Sequence, residues 1–304
     1  MTASYVRLAE SGDLAKRAEA AWDLADPCRL CPHGCGARRL SGETGSCGIA
    51  DAALIASAGP HFGEERPLVG RRGSGTIFFT GCNLSCVFCQ NYHISQLGEG
   101  APVSAGQLAD TMLRLQALGC HNVNLVTPTH VVPMWLSALV IAAEGGLTVP
   151  IVYNCGGYES PQTLRILDGV VDIYMPDVKY SSEEVAGEYS GAVDYWERVS
   201  DAVAEMHRQV GDLSLTADGT AERGLLVRHL VLPEGAAGTG AVMELLASLS
   251  RDTYVNVMDQ YRPEHLARSR PSLSRPITGE EYADAVAAAE RAGLSRGFGR
   301  LGRG

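Results

Sequence analysis

The chain is poor in aromatic residues: Phe, Trp and Tyr make up only 6% of its 304 residues. It is also short of positive charge, with 25 Lys and Arg against 35 Asp and Glu and a formal net charge of −10. That balance excludes a broad electrostatic grip on nucleic acid, though not a small basic pocket. No apolar run approaches the ~20 residues that cross a bilayer. The opening segment, MTASYVRLAESGDLAKRAEAAWDL, is charged and amphipathic and lacks the apolar centre of a secretory signal. A cytoplasmic location without membrane attachment is therefore expected, and thiols there stay reduced. Internal repeats and low-complexity linkers are missing too. What is there is 45% hydrophobic residues, enough for a large core.

Nine cysteines in a reducing compartment need a reason other than disulfides. Seven of them fall into two tight groups, which points to metal. The rest of the chain has a clear rhythm. Residues 5–24 have helical spacing, residues 27–50 form a Cys/Gly/Arg-rich stretch without periodicity, and residues 51–74 look like a connection with one short strand at 53–58. From Thr76 onward, strand-like runs at 76–80, 122–127, 149–154, 171–175, 225–232 and 253–258 alternate with helical stretches. This predicts an α/β fold with a parallel sheet and right-handed crossovers. Six units are fewer than the eight of a closed barrel, so a partial (β/α)6 barrel is expected, with ligands at the carboxyl ends of the strands. The expected division is 1–74 for the helix and Cys-rich extension, 75–262 for the barrel, and 263–304 for a loop, a helix from Gly279 to Ala292 capped by Thr278, and a mobile tail.

The first of the six strands runs into Gly81-Cys82-Asn83-Leu84-Ser85-Cys86-Val87-Phe88-Cys89-Gln90-Asn91. The spacing is C-x3-C-x2-C. Three thiolates on one loop can each ligate one iron of a [4Fe–4S] cubane and leave the fourth iron open. That iron can chelate the amino and carboxylate groups of S-adenosylmethionine (SAM), whose reductive cleavage yields a 5′-deoxyadenosyl radical. Phe88 is placed to shield the cluster near the adenine, and Asn91 is a further SAM contact. The competing reading is a structural zinc site with His93 as fourth ligand.

This loop and the strand ends below resemble the radical SAM superfamily, in particular the pyruvate formate-lyase activating enzyme-like group, over about residues 28–262. The resemblance implies SAM contacts at each strand end. The second strand ends in Val126-Thr127-Pro128-Thr129-His130, a departure from the usual GGE that resembles a VTPTH variant. There Thr127, Thr129 and His130 would contact SAM, while Thr129 could equally cap the next helix. The third ends at Asn154-Cys155-Gly156-Gly157, with Asn154 near the ribose or methionyl part and Cys155 a mouth thiol or simple packing. The fourth ends Pro176-Asp177-Val178-Lys179-Tyr180, similar to PDLKY, where Asp177 and Lys179 are either site residues or a structural ion pair. The fifth carries Arg228, expected to hold the SAM carboxylate or ribose, with His229 pointing away. The sixth ends Met258-Asp259-Gln260-Tyr261, and Met258 and Gln260 would lie beside adenine. Asp177, Lys179 and Tyr261 are the candidate catalytic residues, with His130 a further acid–base candidate.

The other cysteine group, Cys28, Cys31, Cys35 and Cys47, has the spacing C-x2-C-x3-C-x11-C. Four thiolates on a Gly/Pro-rich segment suit structural zinc or a second Fe–S cluster, with His33 as an alternative ligand. Three functions stay open. One is an activase that abstracts hydrogen from a glycyl residue of a partner enzyme, as the resemblance implies. Another is a modifying enzyme of peptides or small metabolites, and the third is a non-catalytic metal scaffold. Either enzymatic role needs a flavodoxin- or ferredoxin-type electron donor. Arg262, Arg268, Arg270 and Arg275 form a basic stretch that would suit such a partner or merely a solvated loop.

Overall fold

The structure is a computed structural model and describes residues 3–298. It opens with α1 (Ser4–Glu10) and α2 (Asp13–Ala25). The single helix expected over residues 5–24 is broken at Gly12, whose φ of 78° leaves the helical region and starts α2 at a new angle. An irregular segment carrying Cys28 to Cys47 follows. Next come β1 (Ala53–His61), α3 (Arg66–Val69), β2 (Ser74–Phe79), α4 (Tyr92–Ser95) and β3 (Ala101–Val103). The alternating part continues through α5 (Ala105–Ala117), β4 (Val123–Val126), α6 (Val132–Glu144), β5 (Ile151–Cys155), α7 (Pro161–Leu167) and β6 (Ile173–Pro176). Helices α8 (Glu183–Ser190) and α9 (Tyr195–Val210) lead to β7 (Ser214–Leu215) and β8 (Ala221–Leu230), then α10 (Thr239–Leu249), β9 (Tyr254–Met258) and α11 (Gly279–Ala292).

The sheet runs β3-β1-β2-β4-β5-β6-β8-β7, with β9 also paired to β8. From β2 through β4, β5, β6 and β8 to β9 every pairing is parallel. These are the six runs expected from the sequence. The antiparallel additions β1, β3 and β7 sit outside that series. Strand β1 runs three residues further than its short expected run because it pairs along the whole of β2.

Parallel strands buried on both faces need apolar residues at nearly every position. Ile77, Phe79, Val123, Leu125, Ile151, Tyr153, Tyr174, Leu225, Val227 and Val255 are all buried in the main core. Alternate positions form a second cluster, with Val152, Ile173, Met175 and Leu226 packed against Leu68 of α3. The segment following β1 therefore covers this other face of the sheet. Helix α6 is buried nearly all round because α2 and α5 flank it. Capping boxes start α5 at Ser104 with Gln107, and α11 at the expected Thr278 with Glu281. After α11, Arg296 forms a bridge to Tyr254 and donates to the carbonyl of Leu213. The tail expected to be mobile is thus paired there, and from residue 299 it lies outside the described residues. No helix among the described residues is long and apolar enough to cross a membrane.

Leu14, fully buried on α2, holds this helix against its neighbours. Leu14→Ala is expected to cost about 2–5 kcal/mol, measured as a loss of unfolding free energy in urea.

Candidate functional site

Side chains alternate along a strand, so Asn154, Asp177 and Arg228 share the face that carries Val152, Met175 and Leu226. In-register parallel pairing then brings them together at the carboxyl ends of β5, β6 and β8. Arg228 donates from Nε to Asp177 Oδ1 at 2.7 Å and from Nη2 to Asn154 Oδ1 at 2.8 Å. Lys179 donates to the other Asp177 oxygen at 2.6 Å. Burial works against the Asp177 carboxylate, but Arg228 and then Lys179 outweigh it and hold its pKa below the usual aspartate value. Burial likewise opposes the Lys179 ammonium, and Asp177 more than restores it. The Tyr195 hydroxyl, set among the Gly156 and Asp177 carbonyls and the Lys179 amide, locks these strand ends to α9.

Two carboxylates arrive from the segment between β1 and α3. Glu64 Oε2 lies 3.7 Å from Arg228. Glu65 accepts from Asn256 of β9 at 2.9 Å, and its other oxygen is buried without a partner among the described residues. Burial raises the Glu64 pKa, with Arg228 opposing. Nothing in the sequence marks these two residues, since they sit in an aperiodic Gly/Pro-rich connection.

The three-cysteine loop leaves β2 at Gly81 and is pinned to the end of α8. The amides of Ser85 and Val87 donate to the carbonyls of Ser190 and Tyr189. The Cys82 sulfur accepts the Leu84 amide at 3.3 Å, Ser190 Oγ donates to Cys86 Sγ at 2.9 Å, and Cys89 Sγ lies 3.2 Å from Ser95 Oγ. Burial, then the neighbouring thiols, raise the Cys82 pKa, while Lys179 faces both Cys82 and Cys86 and opposes the rise. The loop and the Asp177–Lys179–Arg228 array are thus one site. Phe88 is buried edge-to-face against Tyr180 and Tyr261, and Asn91 is exposed at the start of α4.

On the helix side of the strand ends, Glu159 is fully buried and accepts from Thr129 Oγ1 at 2.7 Å and Tyr153 OH at 2.9 Å. Burial pushes its pKa up to about 7, against the pull of those hydrogen bonds. Thr129 therefore binds a carboxylate and makes no helix cap. Cys155 is buried beside the same Glu159. Thr127 has a positive φ of 60° and donates its amide to the Asn154 carbonyl. His130 is buried and bonded through Nε2 to the Thr80 carbonyl at 2.8 Å, and burial lowers its pKa to about 4.

Other candidates stand apart. The Tyr261 hydroxyl donates to the Leu273 carbonyl at 2.7 Å, and its ring packs edge-to-face on Phe88. Gln260 is exposed and donates to Met258 Sδ at 3.2 Å. His93 is exposed and faces Glu99, His229 is buried on the opposite face against the Val178 carbonyl, and His33 bonds the Asn83 carbonyl. Arg268, Arg270 and Arg275 pair with Glu264, Glu188 and Glu281. Cys28, Cys31, Cys35 and Cys47 gather beside the buried Arg39, itself unmarked in the sequence. Among the described residues no three His, Cys, Asp or Glu side chains stand at ready metal-ligand spacing.

Asp177→Asn strips two cations of their shared carboxylate and is expected to cost about 3 kcal/mol at neutral pH. Because its folded pKa is lowered, this stabilisation is present above the usual aspartate pKa and lost as pH falls through the folded value. The difference in urea stability between the two proteins should therefore shrink as pH falls below the usual aspartate pKa. Glu159 has the opposite sign. Between its usual 4.5 and about 7 the folded chain keeps a proton that the unfolded chain releases, so stability falls as pH rises through that window. Glu159→Gln is expected to flatten the dependence of melting temperature on pH across it.

Residues 76–219, from β2 to the turn after β7, match the radical SAM superfamily. The chain is also 31% identical over 288 residues to an uncharacterized protein of Methanocaldococcus jannaschii, an alignment covering 91% of this chain and 78% of that protein. Three cysteines on the loop after the first parallel strand, a polar array at the neighbouring strand ends and the family match over residues 76–219 agree, and the chain belongs to the radical SAM superfamily.

Proposed function

We propose that this radical SAM enzyme is activase-like and abstracts hydrogen from a glycyl residue of a partner protein. The six parallel strands support reading the sheet as a partial (β/α)6 barrel with the site at its mouth, preceded by a Cys-rich extension. The residues fit the two cofactors that the family implies. Cys82, Cys86 and Cys89 offer three sulfurs, each with an amide or hydroxyl neighbour, and no fourth thiol on the loop. When bound, the [4Fe–4S] cluster and SAM together supply a 5′-deoxyadenosyl radical. Arg228 and Lys179 suit the SAM carboxylate, and Asn154 its ribose or methionyl part. Glu64 and Glu65 offer the carboxylates for its amino and sulfonium charges that the VTPTH strand end lacks. Thr127, Thr129 and His130 shape the wall behind them.

The observation that carries the choice of substrate is the charge balance of the site. Lys179 and Arg228 face Asp177, Glu64 and Glu65. With SAM bound, Asp177 and the SAM carboxylate match the two cations while Glu64 and Glu65 match the two positive groups of SAM, so nothing is left over to hold an anionic metabolite. A neutral peptide backbone meets no such demand, and a glycyl Cα–H has no side chain to keep it from a buried radical. In the same reading a flavodoxin- or ferredoxin-type protein of the cytoplasm supplies the electron. The N-terminal cysteines form a second metal centre, zinc ahead of a second cluster.

The anaerobically reconstituted protein with dithionite and SAM is expected to form 5′-deoxyadenosine, and Cys86→Ala to form none. Extract from the source organism grown on dideuterated glycine, split by size into macromolecules and small molecules, tests the substrate. Deuterium should enter 5′-deoxyadenosine from the macromolecular fraction. Label arriving only from the small-molecule fraction would overturn the glycyl reading.

A further inference from the structure

Arg39 is completely buried, yet no salt bridge reaches it among the described residues. Its Nε donates to the Ala50 carbonyl at 2.9 Å and Nη1 to the His130 carbonyl at 2.7 Å, while Nη2 has no partner. Carbonyl oxygens solvate a guanidinium but do not cancel its charge, and an uncompensated buried cation is costly. The acidic groups facing it are thiols: those of Cys28, Cys35 and Cys47 all lie within its field.

Those thiols form a closed ring. Cys31 faces Cys28 and Cys47, Cys47 faces Cys35, and Cys35 is a hydrogen-bonding neighbour of Cys28. The amides of Leu30, His33, Ala37 and Ile49 each lie beside the sulfur two residues before them, and that of Ser46 beside Cys35, partly offsetting the burial that raises the Cys28, Cys31 and Cys47 thiols. The backbone closes so tightly that a Cβ on Gly45 would lie 2.6 Å from Cys35 Sγ. Four thiols on so short a segment suit one tetrahedral ion with Zn–S bonds of about 2.3 Å. The side chains are not at ligand spacing, and closing on an ion requires each cysteine to turn about the single side-chain torsion before its sulfur. A divalent ion with four thiolates is a dianion, which is the counter-charge Arg39 lacks.

The segment also grips the three-cysteine loop. His33 Nε2 bonds the Asn83 carbonyl at 2.8 Å. His130, whose carbonyl Arg39 holds, bonds the carbonyl of Thr80 just before Gly81. A Cβ on Gly81 would lie 2.6 Å from the Cys47 carbonyl oxygen and 2.8 Å from Ile49, so only glycine lets the two segments touch here.

We propose that Cys28, Cys31, Cys35 and Cys47 close around one zinc ion, that Arg39 is its buried counter-cation, and that the assembly clamps the loop of Cys82, Cys86 and Cys89. This deepens the reading of the N-terminal cysteines as a metal centre. It is tested in the full-length chain carrying Cys82→Ala, Cys86→Ala and Cys89→Ala, so that the answer does not depend on whether that loop holds iron. Elemental analysis is expected to find one zinc and no stoichiometric iron per chain. Competition with a chromophoric chelator should show Arg39→Gln binding zinc about 10–100-fold more weakly, the usual effect of losing a group that supports metal ligands. Arg39→Lys, which keeps the charge, should stay at least tenfold tighter than Arg39→Gln. Removing zinc should speed hydrogen exchange at the Gly81 and Ser85 amides. Iron with sulfide in this variant, or no metal at all, overturns the zinc site. Equal affinity of the Gln and Lys variants overturns the counter-cation, and unchanged exchange at Gly81 and Ser85 overturns the clamp.

Discussion

The site depends on the Asp177 carboxylate, which receives Lys179 on one oxygen and Arg228 on the other. Among the described residues neither cation has a second carboxylate at hydrogen-bond distance: Glu64 stands 3.7 Å from Arg228. The contact also ties β6 to β8 beyond the end of their regular ladder, where Asp177 and Arg228 form an isolated bridge. These contacts thus close the sheet at its carboxyl edge and hold Lys179 where it faces Cys82 and Cys86. Burial alone would neutralise the carboxylate, so the array persists because both cations act on it together.

The same accounting of buried charge applies elsewhere in the molecule, with different solutions. Glu159 has no cation and is satisfied by hydroxyl donors, so its proton affinity rises into the neutral range. His130 stays neutral because burial removes its positive form. Arg39 is held by the Ala50 and His130 carbonyls, with the thiols of Cys28, Cys35 and Cys47 close by. Arg39 on the His130 carbonyl and His130 on the Thr80 carbonyl carry these contacts to the start of the loop of Cys82, Cys86 and Cys89.

Much of the sheet was legible in advance. All six parallel strands and the helices between them fall within a few residues of the runs seen in the sequence, because strands buried on both faces advertise themselves as apolar runs between amphipathic helices. Helix α8 was not legible, since Glu183–Ser190 is short and carries little apolar pattern. In the site, Asp177, Lys179, Asn154 and Arg228 were visible as polar residues at strand ends. Tyr261 was equally visible, but its hydroxyl is taken by the Leu273 carbonyl, a contact that no local pattern encodes.

By itself, then, the sequence determined the cysteine spacings, the order of strands and helices, and which face of each strand its polar residues share, because periodicity and spacing are local properties. Only the tertiary structure decided that Glu64 and Glu65 come back to β8 and β9, that Glu159 sits behind Thr129 and Tyr153, and that Arg39 lies buried among thiols. Each of those contacts joins distant parts of the chain, and its strength comes from burial, which the sequence pattern does not show residue by residue.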